Sequence, residues 1–398
     1  MLAAPPTQAT VGRPGSLDAA AAYEMFGVFP SAARPRLLVP LASKRAAAAS
    51  LRGPSQAREP QVRLARFLLR IGIRAGVAQH LFRDRLLISL GGEKETSDLL
   101  ADVLLSEHLT EIFGRRDIVV AVRVRQVRPN RKPLLQVLTP DGDVLGYVKV
   151  GWNSLTRLLV RNEARVLADL ARVTSSRLVF EVPRILHSGE WRQLEILALS
   201  PLHGRWFRRS RSFIAAVGAA MNEISGLSVG DERQLAGSDY WRAERTRIKA
   251  APNRVRLDQL ADIIEERYGM DVLAFGSWHG DWTPWNMGWR GGTLAIWDWE
   301  RSAPAVPIGL DAAHFDFQVA LRATRQRSAT ALRRTLAGNT PLLSNLSLPP
   351  KRHRLLLSLH LLEMSLRCEE GRRAGMSPPD STYLPTLAAL LEGAHERL

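Results

Sequence analysis

The residues whose types and spacing could do chemistry fall in one stretch. His279-Gly280-Asp281-Trp282-Thr283-Pro284-Trp285-Asn286 sets a histidine, an aspartate and an asparagine at H-x-D-x-x-x-x-N spacing, and Asp298 follows in Trp297-Asp298-Trp299-Glu300. Phosphoryl transfer needs such a set: one carboxylate to accept the attacking hydroxyl's proton, and an amide oxygen plus a second carboxylate to hold magnesium. A Trp-rich loop whose polar residues cap turns around Gly280 and Pro284 would explain these residues one at a time. The four polar positions fit one mechanism together.

A second group lies upstream. Ile118 to Arg125 is β-branched and alternating, Leu134 to Leu138 and Val144 to Val150 read as further strands, and the Pro140-Asp141-Gly142-Asp143 turn joins the last two. Lys149, one of only six lysines, sits in the third strand. A lysine there offers a compact cation that reaches phosphate oxygens. Thr156 to about Ala171 has a helical stripe of Leu159, Val166, Leu167 and Leu170, with Glu163 on the same face. A carboxylate on a buried stripe is costly unless paired. Lys149 is the natural partner, as in kinases, where a strand lysine is held by a helix glutamate; Arg161 and Arg165 are the alternatives. Residues 182–187 and 193–199 are two further strands. The second runs into Ser200-Pro201-Leu202-His203-Gly204, which reads as a hinge or as an ordinary loop, and backbone groups near Leu199 could meet an adenine edge.

The elements around these groups divide the chain. Residues 1–32 mix Ala, Pro, Gly and Thr without a sustained apolar period and are expected to form a disordered lead-in. Residues 33–114 read as a small α/β extension, with strands at 36–41 and 85–90 and helices at 61–82 and 97–108. In the first of these helices Arg63, Arg66, Arg70 and Arg74 line one face beside Val62, Phe67, Leu68 and Ile71. Residues 115–200 form the strand-rich part just described. From 201 to 398 the pattern is mainly helical, with helices expected at 211–225, 240–268, 310–324, 327–337, 351–370 and 383–397.

Composition narrows the class. The 398 residues are 45% hydrophobic, as in a globular protein. No run of eighteen apolar residues suggests a membrane span. The first residues lack a basic n-region and an apolar h-region, so a cytoplasmic protein is expected. Cys368 is the only cysteine, which excludes an intramolecular disulfide and a Cys-rich zinc site. Arginine supplies 49 of the 55 basic residues in a net charge of +16. Without a dense basic block interleaved with aromatics, we read the arginines as spread over solvated faces rather than as a nucleic-acid surface.

With these pieces in place, the sequence resembles the aminoglycoside phosphotransferase and choline kinase-like family, small-molecule relatives of the protein kinases. The residues that carry it are His279-Gly280-Asp281…Asn286, Ile296-Trp297-Asp298-Trp299-Glu300 and Gly309-Leu310-Asp311, supported by Lys149 and Glu163. The resemblance implies a bilobal, protein-kinase-like α+β fold with an antiparallel-sheet N-lobe and a mainly helical C-lobe. It implies an enzyme that moves the γ-phosphate of ATP to a hydroxyl of a small molecule such as a sugar or amino alcohol. Asp281 would be the catalytic base; Asn286 and Asp298 would hold Mg2+; Lys149, Glu163 and Leu199 would belong to the ATP site. His279 would support the loop and Asp311 would be structural. No G-x-G-x-x-G covers the phosphates; the family tolerates a loose loop at that place, where Arg128 or Asn130 could contact them. A non-catalytic nucleotide-binding protein of the same fold, or a basic module binding nucleic acid or a membrane surface, are the rival readings. Six of the ten tryptophans lie between 278 and 299, where Trp282 or Trp285 could face a substrate or pack the core.

Overall fold

The computed structural model describes residues 7–13, 22–51, 60–77, 82–90, 104–124, 132–173, 178–202, 211–228, 230–338, 341–346, 348–375 and 382–393. The chain divides into two units, one comprising 1–127, 131–160 and 184–201, the other 128–130, 161–183 and 202–398.

The first unit is built on one nine-stranded antiparallel sheet. In chain order its strands are β1 (Thr7–Gly12), β2 (Ala22–Phe29), β3 (Leu37–Pro40), β4 (Asp84–Leu90), β5 (Val119–Arg123), β6 (Leu134–Leu138), β7 (Val144–Gly151), β9 (Ile185–Trp191) and β10 (Leu194–Leu199). Across the sheet the order is β1-β4-β2-β3-β5-β6-β7-β10-β9. Helices α1 (Lys44–Ser50), α2 (Pro60–Arg74) and α3 (Leu105–Phe113) complete the unit, with the start of α4 (Ser154–Val173). The second half of the sheet matches the expected meander. Val120, Leu135, Val137, Val148, Val150, Ile196 and Ala198 form a buried core with Leu109 of α3.

The first half differs from expectation. Residues 7–12 and 22–29, read as a lead-in without regular structure, form β1 and β2, both paired to β4. Pairing explains it: Phe26, Gly27 and Val28 are all buried, on a strand paired with partners distant in sequence, which a local period cannot reveal. The region read as an α/β extension shares the sheet through Leu38 opposite Val122 and falls in the same unit as the strands that follow it. Its core of Leu37, Val39, Ala47, Ala48, Leu51, Ile73 and Phe82 is closed by α1, whose other alanines, Ala46 and Ala49, join Ala121 and Leu138. In α2 the apolar stripe faces outward: Leu64, Phe67, Leu68 and Ile71 are about half exposed, and Ile73 is buried. The side chains of Val62, Arg63 and Arg66 lie outside the described residues, as do Ser97, Arg128 and Asn130.

The second unit holds the rest of α4 and helices α5 (Arg211–Ser225), α6 (Asp239–Lys249), α7 (Arg254–Tyr268), α8 (Leu310–Ala323), α9 (Ser328–Leu336), α10 (Pro350–Arg373) and α11 (Tyr383–Leu391). The long helix expected over 240–268 is two, parted around Pro252, which lacks the N–H a continuing helix needs. α8 is buried over Leu310–Leu321 and α10 over Leu355–Leu362, so these two form the interior. Two small sheets were not anticipated: β11 (Glu232–Gln234), β12 (Val272–Trp278) and β15 (Ala303–Pro307) in one, β8 (Phe180–Glu181), β13 (Met287–Arg290) and β14 (Thr293–Ile296) in the other. Several are too short to set up a recognisable alternation. Among the described residues no helix is long and apolar enough to cross a membrane.

A Cβ at Gly27 in β2 would meet the Phe82 ring at 2.4 Å. Gly27→Ala is therefore expected to cost roughly 1–3 kcal/mol by overpacking, read as a lower Tm. An unchanged Tm would detach Phe82 from this strand.

Candidate active site

The stretch 279–301 runs from a turn at 279–286 through the β13–β14 hairpin to a 3₁₀ turn at Trp299–Arg301, and its first turn is held by α8 and α10. β12 delivers the chain to His279, and the backbone reverses at Gly280, whose φ of 81° lies in the left-handed region. A Cβ there would sit 2.3 Å from the Arg301 carbonyl oxygen, so only glycine fits. The turn is fixed from below by Asp311, one residue into α8. Its Oδ2 accepts the His279 amide at 2.7 Å and its Oδ1 the Gly280 amide at 3.0 Å. Burial raises the Asp311 carboxyl above its ordinary value, against the pull of His279 and the two amides.

His279 is fully buried and works inside the loop. Its Nδ1 accepts the Asp281 amide at 3.2 Å, and its Nε2 lies 3.3 Å from the Trp297 carbonyl oxygen. Those two roles require the neutral Nε2–H tautomer, and burial holds its pKa below the ordinary value. Its ring packs on Trp282 and Trp299, both fully buried. Trp282 is therefore core; Trp285 is half-buried and the one of the pair that reaches the surface.

Asp281 is held at both carboxylate oxygens. Asn286 Nδ2 donates to Oδ2 at 2.7 Å and to the Asp281 carbonyl oxygen at 2.9 Å; His314 Nε2 lies 3.1 Å from Oδ1. The His314 side chain is 2% exposed and that of Asp281 33%, so the histidine locks the carboxylate from inside while its outer edge meets solvent. Burial disfavours the charged form, but the His314 hydrogen bond and charge outweigh it and hold the Asp281 carboxyl below its ordinary value. With its amide nitrogen spent on Asp281, Asn286 keeps Oδ1 for another partner.

Asp298 adopts a left-handed φ of 76° at the start of a 3₁₀ turn, Trp299–Arg301. That conformation is costly for a residue with a Cβ and least so for Asp and Asn. Oxygens of Asp298, Glu300 and Glu163 lie within 4.8 Å of one another. Glu163 of α4 also accepts the Trp299 amide at 3.3 Å, and Asn162 donates to the carbonyl oxygens of Glu300 and Ser302. An all-oxygen, anionic donor set of this kind suits a hard divalent cation such as magnesium.

Of the residues singled out in the sequence, Asp281, Asn286, Asp298 and Glu163 are thus brought together in the second unit. Lys149 and Leu199 lie in the first, on paired strands, with Lys149 opposite Leu197 and Leu199 opposite Tyr147. Two residues were missed. His314 falls three positions after Asp311, a spacing that places both near one face of α8. Arg367 of α10 donates to the Gly280 carbonyl oxygen at 2.8 Å and to Glu363 at 2.6 Å, so the turn is held at a carbonyl as well as at its two amides. No local pattern marks Arg367 among so many arginines.

Asp311→Ala would leave two buried amides without an acceptor. The expected loss is about 1–3 kcal/mol for each, measured by denaturant unfolding; Asp311→Asn, which keeps one acceptor oxygen, should lose less. Equal stability of both variants to the parent would remove Asp311 from this role.

Residues 152–348 match the model of the phosphotransferase enzyme family. Among solved structures, a thermostable mutant of the aminoglycoside phosphotransferase APH(4)-Ia is 16% identical over 72% of this chain and 98% of its own, with a TM-score of 0.45. A putative fructosamine-3-kinase from Haemophilus somnus 129PT is 15% identical over 73% and 96%, with a TM-score of 0.41. A choline/ethanolamine kinase family protein from Mesorhizobium loti is 14% identical over 68% and 84%, with a TM-score of 0.40. No curated protein matches. The fold is the kinase-like α+β arrangement of an antiparallel-sheet unit and a mainly helical unit. Residues 152–348, with the HGD…N and Asp298 constellation inside them, are thus the part of this chain that matches the phosphotransferase enzyme family.

Proposed function

We propose that the protein transfers the γ-phosphate of ATP to a hydroxyl group of a small molecule, with magnesium. The observation that carries this reading is the state of Asp281: a carboxylate clamped at both oxygens, kept ionised, and open to solvent on one edge. Each carboxylate oxygen retains a second lone pair. An acceptor hydroxyl placed against that edge would be aligned by Asp281 and would give up its proton there. Its oxygen then bonds to the γ-phosphorus, the bond from that phosphorus to the β–γ bridging oxygen breaks, and ADP leaves with the electron pair.

Asn286 Oδ1 and Asp298 would hold magnesium, with Glu163 and Glu300 beside them. When bound, the ion neutralises charge on the phosphates. Lys149 would add a cation for the nucleotide phosphates, and the backbone near Leu199 an edge for adenine. The catalytic contribution of the protein is then position and electrostatics rather than covalent chemistry.

Two experiments test this. ADP release with MgATP is measured across sugars, amino alcohols and aminoglycosides. Asp281→Ala should lower turnover about 100- to 10,000-fold, the range of a lost general base, with nucleotide binding retained; full activity in that variant would sink the mechanism. His314→Leu removes the inner hydrogen bond and should lower kcat about 10- to 100-fold, the worth of a bond to a charged group, with the KM for ATP little changed. His314→Gln, which can still donate, should recover most of the loss; equal losses in both variants would make His314 a packing residue only.

A further inference from the structure

Among the described residues, Arg367 and Arg301 beside the 279–281 turn, and Arg247 linked to them through shared glutamates, are all paired with carboxylates. Arg367 is paired with Glu363, Arg247 with Glu244, Glu363 and Glu370, and Arg301 with Glu370. Arg322 is different. Its guanidinium lies 5.4 Å from the centre of the Trp285 ring, and among the described residues no carboxylate pairs with it. It is half-buried, and this partial removal from water, with nothing to offset it, holds its pKa below the ordinary value. Arg325 and Arg327, just beyond the helix, are exposed and have no carboxylate partner among the described residues either.

Position gives this cation its meaning. Arg322 lies on α8 eight residues after His314, about two turns or ~12 Å along the helix. His314 touches Asp281, and Gln318, midway, donates to the Tyr383 hydroxyl at 2.9 Å. One face of α8 therefore runs from the base to the arginine. Trp285 lies in the same loop as Asp281 and directly precedes Asn286, so the arginine is fixed to the catalytic loop through the ring it covers.

The nearby carboxylates point the same way. A polycationic acceptor needs free acidic groups beside the base. Asp311 is spent on two amides, and Asp316 on the amides of Leu342 and Leu343. Glu363 and Glu370 are spent on arginines, and Asp298, Glu300 and Glu163 form the oxygen cluster. Among the described residues, what remains facing outward beside Trp285 is the Arg322 cation.

We infer that Arg322, stacked on Trp285, is the acceptor-recognition residue of this site, and that the acceptor is a hydroxyl compound carrying an anionic group, a carboxylate or a phosphate, roughly 10 Å from the hydroxyl that reacts. A planar guanidinium suits either oxyanion through paired N–H donors. The inference rests on the phosphotransfer reading for the word acceptor, but the anion site itself does not.

The test uses matched polyols of different charge. D-gluconate, D-glucose 6-phosphate, D-glucose and D-glucosamine are titrated into the full-length protein at constant ionic strength, with calorimetry and tryptophan fluorescence as readouts. Saturable binding is expected for gluconate or glucose 6-phosphate and not for glucosamine; which of the two binds separates the carboxylate from the phosphate. Arg322→Gln should weaken that binding about 10- to 100-fold, and Arg322→Lys should fall between. Thermal unfolding of each variant confirms that it is folded. Binding of neither anion, preference for glucosamine, or equal anion binding by the folded Arg322→Gln protein would each overturn the inference. ADP release measured alongside separates the two readings. Arg322-dependent anion binding without phosphotransfer to any acceptor sinks the enzyme and leaves the site; phosphotransfer to a hydroxyl of glucosamine without anion binding does the reverse.

Discussion

The interaction on which the 279–286 loop depends is the Asp311 carboxylate on two consecutive amides. A chain that reverses at Gly280 presents the N–H groups of His279 and Gly280 to the interior, where an unmet donor is expensive. Asp311 meets both from the first turn of α8, where the helix's own N-terminal field favours a negative charge. This fixes the height of the loop on the helix. Because His314 belongs to the same helix one turn later, the same contact fixes where Asp281 meets its inner hydrogen-bond donor. Arg367 closes the turn at the Gly280 carbonyl oxygen, and its own charge is balanced by Glu363.

Around that anchor, two costs are accepted at the places where chemistry is proposed. Asp298 and Gly280 both take left-handed backbone, one with a Cβ and one unable to bear one. Acidic oxygens are gathered within a few ångström of each other, which is unfavourable without a cation to share. At Asp298 the two coincide, left-handed backbone and a carboxylate crowded by Glu163 and Glu300, the kind of local cost that surrounding structure must hold in place.

Much of this was legible in the residues. Asp281, Asn286 and Asp298 stand out because their roles need fixed residue types at short range, and Glu163 stands out because a carboxylate on an apolar stripe demands a partner. The meander from β5 to β10 is legible from alternation and an Asp-Gly turn. What was not legible depends on contacts between distant segments. β1 and β2 become strands by pairing with β4 some sixty to eighty residues away. Arg367 is one arginine among 49 until α10 carries it to Gly280. The outward face of α2 reads from sequence like a stripe for burial, yet the unit leaves it half exposed.

The sharing of one sheet by the two halves of the first unit has a consequence for any shortened form of the protein. β5 does not end the sheet; β3 covers its open side, and the exposed border is carried outward to β1. A chain cut to begin at residue 115 would uncover the row of amides and carbonyls along β5, a flat apolar rim of Val119, Val120 and Val122 inviting another chain to pair with it. The amino-terminal third thus shields the sheet from self-association, and its removal would be felt first as lost solubility.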